Sequence, residues 1–292
     1  MRSLRNLFFP GRVRALRRSV IGLEHVPDLR RRVEDLEISV EQLQTVVKEL
    51  GCAPPPPREL QVRVVGGYVA GFLQSGHQAV ADMERVLDRH ALTLSGFQRI
   101  LDFGCGCGRV LRCLRPQSDL SQPPYGTDID AEAISWCQLH YSRHARFAVN
   151  SPAPPLDFPN DFFDFVYSIS IFTHLPEEMQ VAWLRELQRV VKPGGYLLLS
   201  FHGENHFAGI PGRDQSRMAR DGFVYAETGR TPGLPEFYQT AWHAPEYVRR
   251  RWGEFFDVID IVPLAIDRQQ DAALCRKRVS AGTDGSGLVS TL

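Results

Sequence analysis

Three acidic or amide positions and one glycine run could do chemistry in this chain. In Arg99-Ile-Leu-Asp-Phe-Gly-Cys-Gly-Cys-Gly-Arg109 an apolar strand ends in an acid and three alternating glycines, Gly104, Gly106 and Gly108, with Cys105 and Cys107 between them. Such a run lets backbone approach a ligand closely, and a helix starting at Val110 would turn its free N–H groups toward an anionic group. A carboxylate at position 102 repels a pyrophosphate and attracts an ammonium group, so an amino-acid-like cationic ligand suits this turn better than a dinucleotide. The dinucleotide spacing G-x-G-x-x-G would also require a small residue at 109, where arginine stands. Asp128 closes Tyr125-Gly-Thr-Asp128, 20 residues beyond Gly108, where a carboxylate can accept from both hydroxyls of a ribose. Asp130 suits the N-cap of the helix that follows. Asn150, Ser168 and Ile169 end two further strands, at the edge where a doubly wound sheet opens its ligand crevice.

The elements that must carry these residues alternate. Strands are expected at 99–103, 124–128, 145–149, 163–168 and 196–201, then at 255–262 and 271–277, with helices between them, which implies an α/β fold with a mostly parallel sheet. Ahead of it, 61–95 reads as helical, with Val80, Met83, Val86 and Leu87 on one stripe after a turn signal at Ser75-Gly76. Residues 203–241 break the rhythm and read as an acceptor-side insertion of long loops, 242–280 as the last strands, and 281–292 as a disordered tail.

The first 25 residues form a basic arm. Arg2, Arg5, Arg12, Arg14, Arg17 and Arg18 stand without an acid in its first 20 residues, a charge pattern that could meet an anionic membrane surface. From 26 to 50, Val26, Val33, Val40 and Val47 alternate with Leu29, Leu36, Leu43 and Leu50 at spacings of 3 and 4. Valine at a and leucine at d favour a parallel two-stranded coiled coil, so a homo-oligomer is expected, joined to the rest through a proline-rich linker at 51–60.

With 34 basic and 34 acidic residues in 292, the chain has no overall field for gripping a polyanion, and nucleic acid is not an expected partner. No run approaches a membrane span or an export signal, and six cysteines are too few for a disulfide scaffold, so a cytoplasmic, reduced setting is expected. No His/Cys pair follows Cys105 and Cys107 at zinc spacing, and no metal site is expected.

Taken in order, Ile100 to Gly108, Gly126 to Asp130, Phe162 to Leu175 and Val190 to Gly195 resemble the four motifs of the Rossmann-like, class I S-adenosylmethionine-dependent methyltransferases. The resemblance covers about 96–202, with weaker matches to 279. It implies a Rossmann-like, doubly wound, mostly parallel seven-stranded sheet with an antiparallel last strand, and S-adenosyl-L-methionine as cofactor. On that likeness Asp102 and the glycine turn, Cys105 included, would hold the methionine portion. Asp128 would hold the ribose, and Ile129 and Asn150 the adenine. Many relatives carry an acid near position 150, and an asparagine there would accept through its carbonyl instead.

A sulfonium methyl is already activated, so alignment and exclusion of water are the protein's main tasks, and a base aids only a hydroxyl acceptor. His174, in Phe-Thr-His-Leu just after strand four, is the first candidate base; His202 and His243 are weaker candidates on the substrate side. The aromatic stretch 223–242, with Tyr225, Phe237, Tyr238 and Trp242, could wall an acceptor pocket or pin the insertion to the core. Ser168-Ile-Ser-Ile171 replaces the Asn/Asp-Pro-Pro-Tyr/Phe of amine methylases acting on bases, which points to O-methylation of a small molecule or a glycan hydroxyl. The alternative is a non-catalytic methyltransferase-like scaffold working through its coiled coil, against which Asp102, Gly104, Gly106, Gly108 and Asp128 all stand intact.

Overall fold

The structure is a computed structural model and describes residues 31–36, 39, 53–65, 71–114, 122–229 and 233–279. Within the heptad region, residues 31–36 and 39 are helical, with Leu36 64% exposed. The rest of the 26–50 coil lies outside the described residues, as do the basic arm at 1–25 and the tail at 281–292. No described helix is long and apolar enough to cross a membrane.

Seven strands make the main sheet: β1 (Ile100–Phe103), β2 (Tyr125–Asp128), β3 (Arg146–Val149), β4 (Phe163–Ser168), β5 (Val191–Phe201), β8 (Asp257–Ile266) and β9 (Gln270–Arg276). Their order is β3-β2-β1-β4-β5-β9-β8. All neighbours are parallel except the pairs made by β9, which runs antiparallel to β5 and β8. The order reverses between β1 and β4, where a doubly wound sheet opens its crevice.

The central strands are apolar because both faces are covered. Leu101, Phe103, Val166, Leu197 and Leu199 pack with Trp183, Leu184 and Leu187 of helix α4 (Glu177–Val190) and with Val248 of α6 (Pro245–Arg251). Ile100, Phe165, Tyr167 and Leu198 point the other way, onto Ala79, Met83, Val86 and Leu87 of α2 (Phe72–Asp88). Helix α1 (Arg58–Val65) precedes α2, and α3 (Ala131–Tyr141) follows β2.

Three local expectations are corrected. Helix α2 runs straight through Ser75-Gly76, because a Cβ at position 76 would sit 2.4 Å from the Arg109 carbonyl oxygen. Gly76 is there for close approach, at a helix-propensity cost of about 1 kcal/mol against alanine. After the glycine turn, Leu111–Cys113 form only a 3-10 turn, in place of the helical run expected over 110–114. The stretch 203–241 is not all loop: it holds α5 (Gln215–Asp221) and strand β6 (Phe223–Ala226), which pairs antiparallel with β7 (Thr240–His243). Gly222, left-handed at φ +73°, ends α5 and starts that ribbon.

Candidate active site

A cavity opens at the carboxyl ends of β1, β2 and β4, beside the switch point. Asp102, Gly104, Cys105, Gly106, Asp128, Ile129, Asn150 and Ile169 all line it. Gly108 and Ser168 are not in the lining. Gly108, at φ +77°, turns the chain behind the wall, with Cys137 Sγ 3.3 Å from where its Cβ would lie. Ser168 is fully buried and donates its hydroxyl to the Phe103 carbonyl at 2.8 Å, tying β4 to β1.

The glycine turn is shaped by close approach. A Cβ on Gly104 would meet Ile171 at 2.3 Å, and one on Gly106 would meet Val64 of α1 at 2.5 Å, both residues having positive φ. Asp128 fixes the turn from the neighbouring strand. Its Oδ2 accepts from the Gly106 N–H at 2.7 Å and its Oδ1 from the Asp130 N–H at 2.8 Å. Each carboxylate oxygen keeps a second lone pair for a hydroxyl. Asp130 caps α3, accepting from Glu132 and Ala133 N–H groups, and is paired with Arg63 at 2.8 Å.

Asp102 is 3% exposed, and burial pushes its carboxyl up to about 7, against the Tyr167 hydroxyl and then the Arg109 charge, which pull it down. A buried acid held near neutral pH gains most from a cationic ligand that completes its charge balance. At Asn150 the side-chain NH₂ donates to the Ser151 carbonyl at 2.8 Å, which leaves Oδ1 buried with no partner. An orphaned buried acceptor costs free energy until a donor arrives, and an adenine amine is such a donor. These residues fit S-adenosylmethionine: an ammonium site, a turn of glycines, a ribose acid and an adenine acceptor line one cavity.

The two cysteines of the glycine turn are buried. Burial raises the Cys107 thiol to about 12 and the Cys105 thiol well above its ordinary value, so both stay protonated.

The histidines are placed differently from the expectation. His174 does not line the cavity; it stacks on Tyr238, which does, with ring centroids 4.0 Å apart. Its Nδ1–H donates to the Gln239 carbonyl at 2.5 Å, and burial lowers its pKa to about 4, so the ring is neutral at pH 7. His202 lies next to His206, 4.4 Å between centroids, with its Nδ1 buried and unpartnered and its pKa lowered by burial to about 3. His243 belongs to the core. It is fully buried among Phe201, Phe223, Tyr247 and Trp252, and its Nε2 meets Gln180 Oε1 at 3.0 Å. Since the Gln180 amide NH₂ already donates to the Phe172 and Leu175 carbonyls, His243 must be the donor in that bond. A substrate role for His243 is replaced by a structural one, because the ring is fully buried in the core and does not line the cavity, although its Nδ1 has no hydrogen-bond partner.

Tyr238 does reach the cavity, anchored by its hydroxyl donating to the Ser170 carbonyl at 3.0 Å. The sequence reading missed Arg63, Val64, Ser170, Ile171 and Leu234 in the lining. Ser170, at φ +63°, is held by its N–H donating to Ser200 Oγ and by Gln270 Nε2 donating to its hydroxyl. Ile171 could have been found from its place after β4, whereas Arg63 carries no local signal.

Residues 101–199 match the family described as methyltransferase domain. Over 115 residues the chain is 35% identical to 2-methyl-6-phytyl-1,4-hydroquinone methyltransferase of Synechocystis, covering 37% of this chain and 33% of that protein. Over 105 residues it is 31% identical to a fatty-acid O-methyltransferase of Mycolicibacterium smegmatis, covering 35% and 36%. The chain thus spans about a third of the length of these curated relatives. Its fold is shared with the PH0226 protein of Pyrococcus horikoshii, at a TM-score of 0.52 and 17% identity over 74% of this chain and 98% of that one. Residues 101–199 thus form a methyltransferase domain, with S-adenosylmethionine as its cofactor.

Proposed function

We propose that this protein transfers a methyl group from S-adenosylmethionine to a hydroxyl of a small molecule or glycan. The observation that carries the reading is the single cavity in which Asp102, the glycine turn, Asp128 and the orphaned Asn150 carbonyl stand beside an aromatic wall. When bound, the cofactor supplies an activated methyl on sulfur. The chain's own residues do the rest: Asp102 would take the ammonium group, Asp128 the ribose and Asn150 the adenine amine, which fixes the cofactor against the β1–β4 edge.

Ile171, Leu234, Phe237 and Tyr238 add an apolar and aromatic part to the lining. Arg63, a lining cation that lies against Gly233 of the insertion, is already paired with Asp130 and Glu132. Apolar walls of this kind exclude water and favour an apolar or aromatic alcohol over a glycan. His174, neutral and stacked behind Tyr238, then serves to hold that ring and not as a base touching the acceptor. Release of S-adenosylhomocysteine in the presence of a panel of neutral phenols, long-chain alcohols and methyl glycosides tests the reading. Turnover confined to glycosides would reverse the acceptor preference, and no binding of cofactor would remove the activity altogether.

Self-association through 26–50 and membrane contact by the basic arm rest on the sequence pattern. Comparing the solution mass of the full chain with that of a chain beginning at Glu59 tests the first, and flotation with anionic vesicles tests the second.

A further inference from the structure

The hydrogen bonds around Ser170 leave one proton over. Its N–H donates to Ser200 Oγ at 2.8 Å, the Ser200 hydroxyl donates to Gln270 Oε1 at 2.7 Å, and Gln270 Nε2 donates back to Ser170 Oγ at 2.7 Å. Turning the Gln270 amide over would leave the fully buried Ser200 hydroxyl without an acceptor among the described residues, so the direction of this ring is fixed. The Ser170 hydroxyl therefore keeps its own hydrogen, with no acceptor for it among the described residues, and the residue lines the cavity. Ser170 also stands in the left-handed region at φ +63°, a conformation that a non-glycine residue holds only where its surroundings impose it. Here they do, because Ser200 lies near the end of β5 and Gln270 begins β9, so two strands of the main sheet brace it.

The second observation is what stands beside that hydrogen. Ile171, Phe237 and Tyr238 line the same cavity, and His174, His202 and His243 do not. The Tyr238 hydroxyl donates to the Ser170 carbonyl at 3.0 Å, and burial pushes its pKa above the ordinary value, so it takes up no proton from an acceptor. A braced donor among apolar groups stabilises an oxygen that already carries negative charge, and does nothing to deprotonate a neutral alcohol. We propose that the Ser170 hydroxyl donates to the acceptor's oxygen, and that the acceptor is a phenol reacting as its phenolate beside the rings of Phe237 and Tyr238. This rests on the methyltransferase reading and narrows its apolar or aromatic alcohol to an aryl one. A phenolic hydroxyl such as tyrosine's ionises at about pH 10 in water, and a fixed donor brings that closer to neutrality. Its proton leaves to solvent on binding. The phenolate lone pair then forms the new O–C bond while the breaking C–S bond returns its pair to sulfur, so the phenolate and sulfonium charges cancel.

The probe is 4-nitrophenol, whose anion is coloured and whose neutral form is not, titrated with pH on the full chain under saturating S-adenosylhomocysteine. The product is used because its neutral sulfur does not itself attract an anion, and because its ammonium group keeps the Asp102 carboxyl ionised through the titration. The bound phenol should ionise about tenfold or more readily than the free one, the range for a hydrogen bond to a charged group. An apolar cavity alone would shift it the other way. Ser170→Gly removes the hydroxyl and suits the left-handed backbone, so it should lose that gain while S-adenosylhomocysteine binds within about twofold of normal. With S-adenosylmethionine, phenols should be methylated and long-chain alcohols should not. Bound 4-nitrophenol that ionises no more readily than free overturns the proposal whether or not the variant folds. So do a Ser170→Gly chain that keeps the gain, an equal loss of S-adenosylhomocysteine binding in that variant, which would make Ser170 a structural residue, and turnover of long-chain alcohols as fast as of phenols. No uptake of 4-nitrophenol by a chain that still binds S-adenosylhomocysteine defeats this inference alone. Failure to bind S-adenosylhomocysteine at all defeats the methyltransferase reading and this inference with it.

Discussion

The floor and the roof of the cavity are held by different kinds of bond. At the floor, short strand ends present backbone: Gly106 and Asp130 N–H groups converge on Asp128, and Gly104 and Cys105 N–H groups both bond the Thr127 carbonyl, at 2.8 and 3.0 Å. At the roof, side chains reach across to carbonyls: Tyr225 to Phe237 at 2.7 Å, Tyr238 to Ser170 at 3.0 Å, and His174 to Gln239 at 2.5 Å. A floor made of backbone holds one ligand shape. A roof made of separate side-chain contacts can be re-lined residue by residue without disturbing the sheet, and this is where an acceptor pocket can differ between chains that share a cofactor.

Breaking the floor should therefore cost cofactor binding, and breaking the roof should cost only the acceptor. The largest effect is expected for Asp128→Ala, which removes both the ribose ligand and the anchor of the glycine turn. S-adenosylhomocysteine affinity should fall by about 100-fold or more, with circular dichroism showing the fold retained.

Next in size is the pH dependence of that affinity. Because the Asp102 carboxyl is raised to about 7 in the folded, ligand-free protein, it must release a proton to receive an ammonium group below that pH. Affinity should fall about tenfold per unit below pH 7 and level off above it, a loss of about 20-fold between pH 7.5 and 5.5. The three histidines considered for catalysis, with pKa values of about 3 to 4, stay neutral across this range. Asp102→Asn should flatten the profile. The same shift sets a stability term of opposite sense: a raised carboxyl pKa stabilises the empty protein at acid pH, and that contribution is lost as pH rises through about 7.

On the roof, Tyr238→Ala removes one wall of the cavity and the bond to Ser170. The acceptor KM should rise by about tenfold, in line with losing a buried aromatic contact of 1–2 kcal/mol, while S-adenosylhomocysteine binds within about twofold of normal. The smallest effect is expected for His174→Gln, which can keep a donor toward the Gln239 carbonyl. Turnover should change by less than about threefold; a loss of about 10² or more would restore His174 as the base.

Much of the floor is legible in the sequence for a physical reason. The residues sit at fixed positions relative to strand ends, and the strands announce themselves as short apolar runs with both faces covered. Asp102, Asp128 and Asn150 could be placed without coordinates for that reason. Ser168 could not be separated from Ile169 in this way, because adjacent residues on a strand end point to opposite sides, and it turned inward to bond Phe103. Long-range packing was not legible either. Gly76 looked like a turn because its close contact, the Arg109 carbonyl, is 33 positions away, and Arg63 was invisible because its partners Asp130 and Glu132 are on another helix. The roof was read only as an aromatic stretch: nothing in its spacing separates Tyr238, which reaches the cavity, from Trp242, which is 3% exposed in a satellite core with Ile210, Met218 and Val224.

The central claim is that the floor holds S-adenosylmethionine. The most direct measurement is calorimetric titration of the full chain with S-adenosylhomocysteine, run beside Asp128→Ala. The account predicts saturable binding at one site per chain that the substitution weakens by about 100-fold or more. Absence of binding by the unaltered chain, or equal binding by both proteins, would contradict it.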